Sequence, residues 1–206
     1  MTTHTETVGS AVDSKDYGKS SPKKFAHAVL RTRDKFSEMV DWYLNVLNAK
    51  IVYSNGMLAF LSYDDEHHRI AIAFSPGSPE RPPRSVGLDH LAFTYGSLDD
   101  LLGNYERLKA IGIVPFLPVN HGPTTSLYYA DPDGNRIELQ VDNFEDIAEA
   151  TEHMVATFDR NPIGVGFDPD DFVRRRQAGT PAADLIRPSA DVAPPEMDVI
   201  AKLISS

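Results

Sequence analysis

Three side chains far apart in the chain could hold one metal ion: His27 in FAHAVLR, His90 in GLDHLAF and Glu138 in NRIELQV. A histidine in an apolar strand is most often a core residue, so His90 alone says little. Glu138 is harder to explain as packing. In NRIELQV the alternating set Ile137, Leu139 and Val141 suits a hydrophobic core, which turns Arg136, Glu138 and Gln140 to the other side. A carboxylate flanked by Ile and Leu in a central strand carries a desolvation cost of several kcal/mol unless it lines a wet cavity or binds a cation. The plain alternative is that this face is simply exposed. Two imidazoles and one carboxylate with free positions beside them are the ligand set of a non-haem Fe(II) site that activates oxygen, and Mn(II) or Zn(II) suits the same donors.

The elements that would position these groups repeat along the chain. A strand, FAHAVLR, leads into DKFSEMVDWYLNVLNA, where Phe36, Val40, Tyr43 and Leu47 mark one helical face. Two apolar strands follow, at 57–63 and 68–74, joined by a charged turn. After the linker SPGSPERPPRS the pattern begins again with GLDHLAFTY. Ser97 then reads as an N-cap, with Asp100 three residues on, for a helix whose face is Leu98, Leu101, Leu102, Tyr105 and Leu108. Strands at 126–130 and 135–141, joined across DPDG, end the second unit. The expectation is an α+β domain of two βαββ repeats, 24–75 and 87–144, forming an open, cupped mixed sheet over residues 23–144. Residues 1–22 read as a disordered arm, and 145–206 as a helix followed by a loop-rich strap.

Superposing the repeats places His27 over His90, and RIA (69–71) over RIE (136–138), so Ala71 stands where Glu138 stands. Three protein ligands then leave the metal open, which suits a bidentate substrate plus O2; four would better suit Lewis-acid isomerisation. Arg69 and Arg136 are expected at the surface, and Phe60 and Tyr129 are candidate pocket residues.

Composition narrows the alternatives. The 206 residues suit one domain, and a formal charge of −10, from 20 basic against 30 acidic residues, argues against nucleic-acid or anionic-membrane partners. No apolar run approaches the ~18 residues of a membrane helix, so a cytoplasmic location is expected. Without cysteine, thiolate metal sites are excluded and any metal must be held by His, Asp or Glu. Gly-rich phosphate loops and a nucleophile elbow are absent from the sequence.

The residues from 24 to 144, and HGPTTSLYYADPDGNRIEL (121–139) most strongly, resemble the vicinal oxygen chelate superfamily, and within it the type I extradiol ring-cleaving dioxygenases. The resemblance implies Fe(II) held by His27, His90 and Glu138. It implies that Tyr128, ten residues before the glutamate, contacts substrate and oxygen, and that His121 contacts a substrate hydroxyl. The expected partners are a small aromatic diol and O2, in a homo-oligomer. The spacing from His121 to Tyr128 is shorter than in catechol enzymes of the family. Their acid–base histidine has no counterpart in IAIAFSPGS around Ser75, which leaves His67 and His68 of the preceding turn as the imidazoles nearest that strand. Two units make this a one-module form. A metal-dependent isomerase or lyase, or a non-catalytic small-molecule binding protein, are the alternatives on the same fold.

Overall fold

A computed structural model describes residues 21–82, 85–188 and 194–204. The amino-terminal arm therefore lies almost wholly outside the described residues. The first unit runs β1 (Ala28–Thr32), α1 (Phe36–Val46), β2 (Lys50–Ser54), β3 (Leu58–Ser62) and β4 (Ile70–Phe74). The second runs β5 (His90–Thr94), α2 (Leu98–Ala110), β6 (Leu117–Asn120), β7 (Thr124–Ala130) and β8 (Arg136–Asp142). Each forms its own mixed sheet, ordered β1-β4-β3-β2 in the first. The second is ordered β5-β8-β7-β6 and extended at its edge by the short β9 (Val165–Gly166). In each, the opening strand pairs parallel with the last strand of its unit.

The α+β class and the duplication stand as expected, but each unit holds three strands after its helix. The extra strands were hidden for separate reasons. All five residues of β2 are exposed, so its KIVYS carries no alternation to detect. The other, β6, contains Pro118, which ordinarily argues against an interior strand, yet β6 pairs with both β7 and β9.

Strand parity is borne out in β8, where Ile137, Leu139 and Val141 face the core. Leu30, Ile70, Ile72, Ala59 and Leu61 of the first sheet are buried with Met39, Val40, Tyr43 and Val46 of α1. Leu127, Tyr129, Ile137, Leu139 and Val141 of the second are buried with the leucines of α2, in the same continuous core. Ser97 caps α2 as expected, its hydroxyl accepting from Asp100 N at 3.1 Å and donating to the Asp100 carboxylate at 2.6 Å. The two sheets thus lie side by side on a shared helical layer, each with its opposite face turned away from it.

Polar bonds fasten the units. The Tyr43 hydroxyl of α1 donates to Asp131 Oδ2 at 2.9 Å in the β7–β8 turn. Asp131 in turn accepts from the backbone N–H of Asp133 and Asn135, which shapes the DPDG turn. Asn104 Nδ2 of α2 donates to the Val46 carbonyl at the end of α1.

Past residue 144 the structure holds more helix than the expected strap: α3 (Ile147–Thr157), α4 (Pro169–Gln177), α5 (Ala182–Ile186) and α6 (Met197–Ile204). The sequence of α4, PDDFVRRRQ, has few apolar residues and so no periodicity. Its capping signals are complete nonetheless: Asp168 accepts from Asp170 N, a proline opens the first turn, acids follow and three arginines close it. Val199 of α6 packs on Leu117, Val119 and Tyr128, covering the β6–β7 side of the second sheet's open face. Among the described residues no helix is long and apolar enough to cross a membrane.

Tyr43→Phe should lower unfolding stability by about 1.5–3 kcal/mol, the value of a hydrogen bond to a charged group, because it leaves the buried Asp131 carboxylate short of a donor. Urea denaturation measures it, and a loss below about 0.5 kcal/mol would mean the units are not held together there.

Candidate functional site

Four of the five candidate residues meet on the open face of the second sheet. Tyr128 on β7 and Glu138 on β8 are register partners, because the DPDG turn joins their strands symmetrically. His90 opens β5 two residues before Ala92, the register partner of Glu138, so its ring reaches the carboxylate diagonally. His90 Nε2 stands 3.0 Å from Glu138 Oε2, and His121 Nε2 stands 3.8 Å from Glu138 Oε1. The Tyr128 ring lies edge-on between the two imidazoles, 5.4 Å from His90 and 5.8 Å from His121.

Glu138 is 5% exposed. Burial alone would push its carboxyl upward, but hydrogen bonds from His90 and Ser126, with the histidines' charge, outweigh that and hold it below the usual carboxylate range. The hydrogen bond to Glu138 is also the main reason the His90 imidazolium is pushed up to about 9, against its burial and with help from Asp89. Burial lowers His121. Burial, then the Glu138 charge, raises the Tyr128 phenol and keeps it protonated.

His121 sits in the turn between β6 and β7, where its backbone N–H donates to the Thr124 carbonyl. Its Nδ1 meets the Ile163 carbonyl, which can only accept, so the proton is assigned to Nδ1. Nε2 is then a lone pair, 3.0 Å from the Tyr128 hydroxyl that donates to it. Gly122, at φ 97°, allows the turn, and a Cβ there would fall 2.6 Å from His153 Nε2 of α3. A cavity of about 360 Å3 opens beside His121, lined among others by His153, Phe167, Phe172 and Arg187.

His27 is elsewhere. It lies just before β1, on the first sheet, with its ring 4.3 Å from that of His68, which in turn lies 4.6 Å from Phe60. His67 and His68 are therefore beside His27 and not beside Tyr128. Arg69 fixes the approach to β1 by donating to the carbonyls of Phe25 and Ala26. Among the described residues no three His, Asp or Glu side chains come together to share a metal ion. The expectation that one chain gathers His27, His90 and Glu138 is not met, because β1 and β5 belong to separate sheets. The expected gap at Ala71 is present: Val29 pairs with Ala71 as Ala92 pairs with Glu138.

Two neighbours were missed. Asp89 Oδ2 lies 2.7 Å from His90 Nδ1. Adjacent strand residues face opposite ways, which argues against such a contact, but Asp89 precedes β5 and escapes the pleat. Arg136, expected at the surface, is 6% exposed, 5.6 Å from the centre of the Phe116 ring and bonded to the Lys202 carbonyl of α6. The covering helix, unseen in the sequence, is the reason.

The donors suit a divalent cation. A buried carboxylate faces two imidazole nitrogens, and Asp89 on Nδ1 of His90 stands where an outer hydrogen bond would orient a histidine that binds a cation through Nε2. Residues 24–139 match the model of the Glyoxalase/Bleomycin resistance protein/Dioxygenase superfamily. The chain belongs to this superfamily. It is 49% identical over 160 residues to biphenyl-2,3-diol 1,2-dioxygenase 2 of Rhodococcus globerulus, covering 77% of this chain and 84% of that protein. It is 46% identical over 165 residues to biphenyl-2,3-diol 1,2-dioxygenase 3 of the same organism, covering 79% and 86%. Among solved structures, a glyoxylase/bleomycin resistance protein/dioxygenase domain from Frankia sp. EAN1pec matches at 23% identity with a TM-score of 0.49, covering 59% of this chain and 99% of that one.

In metal-free protein, His90 should titrate with a midpoint of about 9, and Glu138→Gln should bring that midpoint down. NMR of the imidazole protons reads both, and a midpoint at or below 6.5 in the unaltered protein would contradict the His90–Glu138 pair.

Proposed function

We propose that this superfamily enzyme is an extradiol dioxygenase that opens a catechol-type aromatic ring with O2, using Fe(II) with His90 and Glu138 among its ligands. The observation that carries the reading is the buried pairing of Glu138 with His90 and Tyr128, in a chain about half identical to two biphenyl-2,3-diol dioxygenases. Bound iron would supply binding of substrate and O2 and electronic coupling between them.

The chain's own groups do the rest. A catechol must lose protons to bind as an anion, and His121 Nε2 is the unprotonated base on this face, lowered by burial and held in that tautomer by Ile163. Tyr128 stays protonated and is a donor aimed into the site, suited to hydrogen bonding with bound oxygen. His121 and Tyr128 touch each other, so a proton taken by one is relayed to the other without solvent. Asp89 and Ser126 hold His90 and Glu138 in place. This pairing supplies the acid–base group that the region around Ser75 lacks.

Anaerobic protein loaded with Fe(II) and then given 2,3-dihydroxybiphenyl or catechol in aerated buffer should consume O2 mole for mole and form a coloured ring-opened product. Tyr128→Phe should lower kcat by about 100- to 1,000-fold, as expected on removing one preorganised donor. No uptake with any catechol by demonstrably iron-loaded protein would end the dioxygenase reading.

A further inference from the structure

We propose that the cavity beside His121 is a second ligand site, built largely by the carboxy-terminal segment and suited to a planar aromatic monocarboxylate. It lies behind the second sheet and not on the face that carries Glu138. Alternation in β6 decides this. Leu117 and Val119 pack with Tyr128 and Val199 on the open face, which turns Pro118 and Asn120 toward the helices. Asn120 Nδ2 accordingly donates to the Ile186 carbonyl of α5 at 3.0 Å, and Phe172 and Leu185, which line the cavity, belong to the helical core. His121, in the turn after β6, is the residue that the cavity shares with the open face.

The walls are fixed by the chain itself. Asn120 Oδ1 accepts from the backbone N–H of Gly122 at 2.9 Å and from Asn143 Nδ2 at 3.0 Å. Just before β9, Asn161 Oδ1 accepts from Gly164 N at 2.8 Å while its Nδ2 donates to the Gly164 carbonyl at 3.0 Å. Gly122 and Gly164 both have positive φ, and a Cβ on either would strike His153 or the Asn120 carbonyl, so the lining is closed to larger residues at these two points. Phe167 and Phe172 stack with their ring centres 4.4 Å apart and, with Val165 and Leu185, make one wall apolar.

Charge selects the ligand. No Asp or Glu among the described residues lines the cavity, although the chain holds 30 acidic against 20 basic residues. Burial lowers both His121 and His153, so they line it as neutral rings, and the Arg187 guanidinium is the one cation of the described lining. Among the described residues no hydrogen bond or ion pair engages that guanidinium or the His153 ring nitrogens. Arg187 is exposed, at the rim, where its forked donors match a carboxylate arriving from solvent. The ring behind that carboxylate is then buried against Phe167, Phe172 and Leu185. A volume of about 360 Å3 is at the lower end of the range for small-molecule sites and suits one or two rings. An uncharged ligand would leave Arg187 unanswered, and a bare inorganic anion would leave the apolar wall against water. Ring opening turns an uncharged diol into a conjugated carboxylate, so on the dioxygenase reading the cavity matches the class of the product and not that of the substrate. The binding site itself does not depend on that reading.

Benzoate is the probe, titrated into the full chain without added metal and followed by calorimetry and NMR. It should bind one per chain, more tightly than acetate, which lacks the ring, and than benzyl alcohol, which lacks the charge. Arg187→Met keeps the stem of an exposed residue and removes its donors; it should weaken benzoate about 10- to 100-fold, as loss of a hydrogen bond to a charged group does, and leave benzyl alcohol unchanged. Intermolecular NOEs should link the benzoate ring to Leu185 and Phe172, and the His121 imidazole signals should shift as the site fills. Benzoate held equally well by Arg187→Met, NOEs to Tyr128 in place of Leu185, or no saturable binding at millimolar benzoate would each overturn the proposal. Neither iron nor a catechol enters the titration, so its failure and that of the oxygen-uptake experiment are separate outcomes.

Discussion

A carboxylate in the middle of a central strand is the constraint on which the rest of the site depends. Glu138 lies between Ile137 and Leu139, whose side chains are fully buried in the opposite direction. Taking its charge out of water costs several kcal/mol unless partners replace the hydration. Every partner on its face is arranged to do that: His90 on the neighbouring parallel strand, Ser126 and Tyr128 on the antiparallel one, and His121 above them. In metal-free protein the cation that answers Glu138 is the His90 imidazolium. A divalent metal would displace that proton and take over the same electrostatic role, which is why the pair can persist in the absence of metal without unfolding the strand.

The duplication shows the same constraint from the other side. Ala71 occupies the position in β4 that Glu138 occupies in β8, fully buried and surrounded by apolar neighbours. Its register neighbours are Val29 and Phe60, neither of which could answer a carboxylate. The exposed face of the first sheet is accordingly apolar, whereas the second is polar at its centre. One unit is thus specialised as a donor set and the other as a largely apolar surface with His27 and His68 at its margin, although their strand orders and registers are alike.

Much of this was legible in the sequence because period-two alternation reports which side chains share a face. It separated Glu138 from Ile137 and Leu139, and the repeat related His90 to His27 and Ala71 to Glu138. Alternation reports direction and not distance, so it could not say that His27 and His90 lie on sheets held side by side. Edge strands such as β2 escape the same logic because neither face is buried, and α4 escapes it because charge and capping define that helix in place of an apolar stripe. Asp89 was missed because it stands one residue outside the strand where parity begins to hold.

The segment past residue 144 has a closer part in the chemistry than covering a surface. The Ile163 carbonyl sets the His121 tautomer, and Gly164, at φ 104°, lies so close to the Asn120 carbonyl that a Cβ would stand 2.2 Å from it. Asn161 holds that bend by accepting from the backbone N–H of Ile163 and Gly164. Val199 then seals the β6–β7 side of Tyr128, and Arg136 donates to the Lys202 carbonyl. Arg136, two residues from Glu138 on the same face, is held by Phe116, the α6 backbone and the Asp89 carboxylate, the same carboxylate that bonds His90 Nδ1, so the carboxy-terminal helix is tied to the site through one ion pair.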